Sequence, residues 1–186
     1  MENFEGEKFR LANHWFNILN VNNYSNKPIN YLEIGSYYGA NIISVANSYG
    51  LHEESKLFCI DPYQDYDDYP EYKNKQDTIY SSFIKNIESY KNKIYHIRGF
   101  SNKEIFKFDD NFFDIIYIDG NHEPEYVLED AVLSFRKLKQ NGILIFDDYM
   151  WHNLTQHGID AFLSAYHKKI EYICEKETQV FIRKLF

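Results

Sequence analysis

Apolar positions along this chain switch between short, nearly unbroken runs and runs at helical spacing. Phe9, Ala12, Phe16 and Leu19, with Trp15 beside them, predict an amphipathic helix over residues 4–20. Residues 22–27 are polar and read as a link that Pro28 closes. Residues 30–34 predict a first strand and residues 41–49 a helix. A second apolar run at 57–60 stops at Asp61-Pro62, and helical spacing returns at Ile79, Phe83 and Ile87. Residues 93–98 alternate around Ile94 and Ile97 as a third strand ending at Gly99. Residues 113–118 are apolar apart from Asp114, which suits a central parallel strand buried on both faces. Val127, Leu128, Ala131, Val132, Phe135 and Leu138 mark a helix that Asn141-Gly142 should end. Residues 143–146 are a fifth strand, and Ile159, Phe162, Leu163 and Tyr166 a last helix. Residues 172–174 and 179–183, parted by Glu175-Lys176-Glu177, predict a terminal antiparallel pair. Strand alternating with helix predicts an α/β fold, a Rossmann-like three-layer sandwich with a seven-stranded, mostly parallel sheet.

The strand ends carry the chemistry. The first strand breaks into a turn at Gly35, Ser36, Tyr37 and Gly39, just before a helix. In an open α/β sheet, strand, glycine turn and helix make a ligand crevice at the carboxyl edge. Glu33 near that strand's end would repel a pyrophosphate but suits a cationic or hydroxylated ligand, such as S-adenosylmethionine. Asp61 closes the second strand about 26 residues past Gly35, where an acid typically takes ribose hydroxyls; strand position and spacing favour that reading over a helix or turn cap before Pro62. Asp119 follows the fourth strand, and Asp147 and Asp148 the fifth. Carboxylates crowded on one edge raise one another's pKa unless something cationic sits among them. Asp119, Asp147 and Asp148 would suit a hard divalent cation such as Mg²⁺. His122, in the loop after Asp119, could take a proton from a substrate hydroxyl. His14, His52, His96, His152, His157 and His167 have weaker claims, although His152 and His157 follow the fifth strand. The tyrosine- and acid-rich residues 63–75 read as a solvated loop or a lid, and Trp151 as packing or a substrate wall.

Composition narrows the classes. A length of 186 residues fits one domain, 1–186, with residues 1–28 its N-terminal helix and link. Net charge is −8 and no basic run exists, so no nucleic-acid partner is expected. No apolar stretch reaches membrane-spanning length and no basic-then-apolar leader opens the chain, so no membrane partner or signal peptide is expected. Cys59 and Cys174 fall on predicted strands and read as reduced thiols, which points to the cytoplasm.

The residues resemble a known family. Glu33-Ile-Gly35-Ser-Tyr-Tyr-Gly39 is similar to motif I of class I S-adenosylmethionine-dependent methyltransferases. Tyr117-Ile-Asp119-Gly-Asn-His122, then Asn141-Gly-Ile-Leu-Ile-Phe-Asp147-Asp148-Tyr149, resembles one branch, that of the small-molecule O-methyltransferases of methyltransferase family 24 and the macrolide-sugar O-methyltransferases. His157-Gly-Ile-Asp-Ala-Phe162 resembles that branch's Pro-Gly-Val-x-x-Ala-x-x-Phe helix start, with His for Pro. The likeness spans residues 30–165. It implies S-adenosylmethionine held by Glu33, Gly35, Ser36, Tyr37, Gly39, Asp61 and Asp119, with Ser101 near the adenine. It also implies Mg²⁺ on Asp119, Asp147 and Asp148, His122 as base, and a small hydroxylated acceptor such as a sugar or sugar nucleotide. Two features depart from the pattern. Tyr37 replaces the common middle glycine, and sugar-modifying relatives often carry extra N-terminal regions that build the pocket or a homo-oligomer.

The expectation is therefore O-methyl transfer assisted by Mg²⁺. A metal-independent methyltransferase, a nicotinamide-binding oxidoreductase and a non-enzymatic interaction module are the rivals. The nicotinamide reading wants Gly-x-Gly-x-x-Gly, which Tyr37 breaks.

Overall fold

Apolar strands with helical segments between them can bury both sheet faces only under helices, and the chain folds that way. The computed structural model describes residues 4–9, 11–65, 72–150 and 153–186. Among these, the strands are β1 (Asn30–Ile34), β2 (Lys56–Asp61), β3 (Ile94–Arg98), β4 (Phe113–Ile118), β5 (Leu138–Phe146), β6 (Ile170–Lys176) and β7 (Gln179–Lys184). They form one sheet in the order β3-β2-β1-β4-β5-β7-β6. The pairs from β3 to β5 are parallel, and β7 lies antiparallel to both β5 and β6. The Rossmann-like α/β sheet with a terminal antiparallel hairpin is thus as expected.

Successive residues of each central strand feed opposite cores. Tyr31, Ile115, Tyr117, Ile143, Ile145 and Phe181 pack on one face with α2 (Ala40–Ala46) and α3 (Gln76–Ile87). Leu32, Ile34, Ile116, Ile118, Leu144 and Ile182 pack on the other with α5 (Pro124–Lys137) and α6 (Asn153–Tyr166). The helices α1 (Asn22–Ser25) and α4 (Ser101–Glu104) are single turns.

Two elements differ from expectation. Residues 4–20 do not form one amphipathic helix; a 3-10 turn, Ala12–Trp15, is followed by α1 in the supposed link. The apolar spacing there records separate docking points. Trp15 is fully buried against Tyr49 and Tyr117, while Phe9 and Phe16 stay 62% and 45% exposed. Side chains also claim the backbone of this segment, as where the Ala12 amide donates to Ser44 Oγ at 2.7 Å. Secondly, α5 stops at Lys137, not at Asn141-Gly142. Leu138 already belongs to β5, where it pairs with Phe113. Lys184 caps the helix end by donating to the Phe135 and Leu138 carbonyls at 3.0 and 2.7 Å.

Candidate active site

Register gathers the acids. Ile34 pairs with Ile60 and with Ile118, and Ile118 with Phe146. The ladder runs one step further: the Gly35 amide donates to the Ile60 carbonyl at 2.9 Å, Asp119 to Ile34 at 2.8 Å, and Asp147 to Ile118 at 2.9 Å. Gly35, Asp61, Asp119 and Asp147 therefore lie side by side on the carboxyl rim of the sheet.

The turn after β1 is packed tightly against this rim. Gly35 and Gly39 have φ of 82° and 83°, and a Cβ on Gly35 would fall 1.9 Å from the Asp119 carbonyl oxygen. Tyr37, where a glycine is common, takes φ 48° itself. The turn is held in place by Asp61. Its Oδ2 accepts the Ser36 and Tyr37 amides at 2.8 and 3.1 Å, and its Oδ1 accepts the Tyr63 amide at 2.8 Å. Desolvation still pushes the Asp61 carboxyl above its ordinary pKa, against those bonds. The turn-capping role is thus visible, with lone pairs left for a further donor. Ser36 is buried, and its hydroxyl has no oxygen or nitrogen partner among the described residues; the Cys59 thiol beside it is a weak one.

Glu33 lies beneath the turn, 1% exposed, not at the open rim. Its Oε2 accepts the Tyr31 hydroxyl and the Asn41 amide, each at 2.8 Å. Burial pushes its pKa up to about 8, against these two hydrogen bonds.

On the neighbouring strand ends, ligand-capable atoms of Asp119, His122 and Asp148 lie within 4.8 Å of one another. His122 Nε2 is 3.2 Å from Asp148 Oδ2. Desolvation, then Asp147, Asp148 and Glu33, hold the Asp119 carboxyl well above the usual range. Asp148 adopts φ 57°, left-handed and costly for a residue with a Cβ. Asp147, expected as a third ligand, is outside this cluster. Its Oδ2 accepts the Tyr117 hydroxyl, and its Oδ1 accepts the Asp148 amide at 2.9 Å. His122 stands with the two acids in its place. No other histidine joins such a group among the described residues.

Ser101 opens α4, where its hydroxyl bonds the carboxyl of Asp130, a residue 4% exposed whose pKa burial lifts to about 7. Sequence reasoning passed over Asp130. The available signal was an acid on the same face of α5 as Val127, Ala131 and Ser134, all buried. Tyr63 begins the predicted lid and is pinned down, donating from its hydroxyl to the Tyr37 carbonyl at 3.1 Å. Residues 66–71, Trp151 and His152 lie outside the described residues.

This donor set is chemically apt for a divalent cation. Two carboxylates suit a hard ion, and an imidazole extends the range to Mn²⁺ or Zn²⁺. The buried Ser36 hydroxyl and the spare Asp61 lone pairs suit a hydroxylated, cationic cofactor better than a phosphate.

The chain is similar to several known proteins. Protein R132 of Acanthamoeba polyphaga mimivirus is 28% identical over 153 residues, 80% of this chain. The matched part spans 63% of that relative's own length. The O-methyltransferase NovP superposes with a TM-score of 0.70 at 14% identity, over 94% of this chain and 79% of its own. MycE, a methyltransferase of the mycinamycin biosynthetic pathway solved with Mg and SAH, gives 0.60 at 14% identity, over 93% of this chain and 49% of its own. At such identities the two structures establish a shared fold. The sequence profile of a methyltransferase domain, that of family 24, matches residues 32–149, and the chain belongs to that family.

Proposed function

We propose that the protein is an S-adenosylmethionine-dependent O-methyltransferase acting on a small hydroxylated acceptor. The observation that carries this reading is the rim itself: Asp61 beside the Gly35 turn, and Asp119, His122 and Asp148 on the next strand ends. Gly35, Ser36, Tyr37 and Gly39 would shape the cofactor's bed. Asp61 would take ribose hydroxyls, Ser101 would stand near the adenine, and Glu33 would act from beneath the turn.

S-adenosylmethionine, when bound, would supply the methyl group for the acceptor oxygen, and the His122 imidazole would take the proton that the hydroxyl gives up. Asp148, 3.2 Å from Nε2, stabilises the imidazolium that forms. Asp119 and Asp148 would hold a divalent cation while His122 serves as the base, and the cation would supply charge stabilisation to the ionising hydroxyl. Holding the acceptor hydroxyl in place against the bound cofactor would supply much of the acceleration. A carboxylate-rich rim disfavours anionic acceptors, so an uncharged sugar or similar polyol fits better than a phosphorylated one. The His122–Asp148 contact also supports a metal-independent variant, because the imidazolium is then balanced without a cation. Cytoplasmic residence belongs to the same proposal, from two free thiols.

Calorimetry should show S-adenosylhomocysteine binding and no binding of NAD. Methyl transfer from labelled S-adenosylmethionine to a panel of sugars should fall at least tenfold on strong chelation and return with Mg²⁺; full activity under chelation selects the metal-independent variant. His122→Ala should cut turnover by two or more orders of magnitude and leave cofactor affinity within about twofold. Equal turnover removes His122 from the chemistry, and NAD binding in place of the homocysteine compound defeats the whole assignment.

A further inference from the structure

We propose that a one-way chain of hydrogen-bond donors, from Trp15 through Gln179 and Tyr117, positions Asp147 and through it the left-handed backbone of Asp148. Tyr117, Gln179 and Trp15 are then positioning residues for the Asp119–His122–Asp148 cluster. The proposal rests on the functional reading of that cluster given above.

The direction of the chain follows from what each group can do. Trp15 Nε1 lies 2.9 Å from Gln179 Oε1, and an indole N–H can only donate. Gln179 must therefore turn its amide nitrogen the other way, where it lies 3.4 Å from the Tyr117 hydroxyl oxygen. That oxygen accepts, and its own proton is left for Asp147 Oδ2. The same oxygen is 3.4 Å from Asp119 Oδ2, so the chain reaches both acids of the rim. Asp147 then spends its second oxygen on its neighbour. Oδ1 accepts the Asp148 amide at 2.9 Å and lies 3.5 Å from the Thr178 hydroxyl.

The Asp148 amide belongs to the residue at φ 57°, a conformation that persists only where its surroundings enforce it. The Asp147 carboxylate grips that residue's peptide, and the outcome is an Asp148 side chain aimed at His122. Trp15 and Tyr117 are fully buried, Asp147 is 3% exposed and Gln179 5%. Buried polar groups are costlier than apolar packing of the same volume unless every member is paired, and this chain is paired from end to end. It joins the N-terminal 3-10 turn, β7, β4 and the end of β5. It thus gives a segment remote from the crevice a hold on the crevice's geometry.

The test uses the full-length protein and two readouts. Amide hydrogen exchange at Asp148 reports the clamp whether or not a cation binds, and Mn²⁺ binding by electron paramagnetic resonance reports the cluster. Tyr117→Phe keeps the ring and removes only the terminal donor. Asp148 exchange should quicken at least tenfold, Mn²⁺ affinity should drop about tenfold, and affinity for S-adenosylhomocysteine should stay within twofold. Gln179→Glu offers an acceptor to Tyr117 and should draw its proton from Asp147, reproducing the loss with the tyrosine present. Trp15→Phe, at the far end, should quicken Asp148 exchange about threefold. Unchanged Asp148 exchange in folded Tyr117→Phe, or in Trp15→Phe should the first variant not fold, overturns the proposal. Wild-type protein that binds no Mn²⁺ refutes the cluster as a cation site, while the exchange result still decides the chain.

Discussion

At Gly35 one hydrogen atom separates a working turn from a collision. A methyl group there would meet the Asp119 carbonyl oxygen at 1.9 Å and its carbon at 2.6 Å, and φ is 82°. Both neighbours are backbone, so neither can swing aside. Gly35→Ala should therefore cost about 3 kcal/mol or more, the sum of left-handed strain and overpacking. It should also abolish S-adenosylhomocysteine binding in calorimetry; a variant that melts within a degree of wild type and binds normally would show that the turn is not so tightly set. This residue was legible in the sequence because glycine at a strand-to-helix turn has a local physical cause. Asp61 and Asp119 were legible for a similar reason, since each ends an apolar run, and Asp148 follows Asp147, which ends another. The exchange of His122 for Asp147 in the cluster was not legible. It depends on Tyr117 claiming the Asp147 carboxylate, a contact between residues 30 positions apart that no spacing announces. Gln179 and Trp15 are further still from view, 164 positions apart and joined only by the fold.

Elements follow the same division between local and distant causes. Strands β1, β2 and β4 were readable because parallel strands buried on both faces are apolar throughout and end in polar turns, and the antiparallel terminal pair was readable because Glu175-Lys176-Glu177 parts its two runs. The N-terminal segment misled because its apolar residues repeat at helical spacing while Ala12, Trp15 and Leu19 are buried in the core on the α2 and α3 face and Phe9 and Phe16 stay exposed. The α5 end misled because Leu138, counted as the last helical apolar residue, is the first of β5. Helix packing yields its own prediction. A Cβ on Gly158 of α6 would lie 2.7 Å from the Pro124 carbonyl oxygen and 2.8 Å from Val127 Cβ, both on α5. Gly158→Ala should force the two helices apart at a cost of about 1–3 kcal/mol in chemical denaturation. The cost should reach the site as well. Thr155, one turn earlier on α6, has its hydroxyl 3.4 Å from the His122 carbonyl, so turnover should fall more than cofactor affinity. Wild-type stability in this variant would mean that the α5–α6 approach has slack the distances do not show.

For the molecule as a whole, the crevice acids set how stability varies with pH. Burial lifts Glu33 from 4.5 to about 8 and Asp130 from 3.8 to about 7, and both side chains are nearly inaccessible. A carboxyl with a higher pKa folded than unfolded binds more protons in the native state between the two values, so stability declines as pH rises through that window. The contribution is complete below the unfolded pKa, near 4, and is lost by pH 8. Each unit of displacement corresponds to roughly 1.4 kcal/mol, so these two groups, each displaced by more than three units, together command on the order of 9 kcal/mol. The opposite slope exists at the surface. Lys85 holds Glu5 low and Lys137 holds Asp110 low, and their stabilisation is lost as pH falls below the ordinary carboxylate range. Those carboxylates are exposed and their ion pairs contribute little. The buried pair wins, so the melting temperature of the ligand-free protein should peak near pH 5 and fall steadily to pH 8. Glu33→Gln keeps a side chain that the Tyr31 hydroxyl or the Asn41 amide can still bond, and it removes the charge that burial penalises. Its melting curve should be flatter across the same range and should lie above wild type at pH 8. A wild-type melting temperature that climbs between pH 5 and pH 8, or a variant that keeps the wild-type slope, would mean that Glu33 is ionised beneath the turn and that its pairing with Tyr31 and Asn41 outweighs its desolvation.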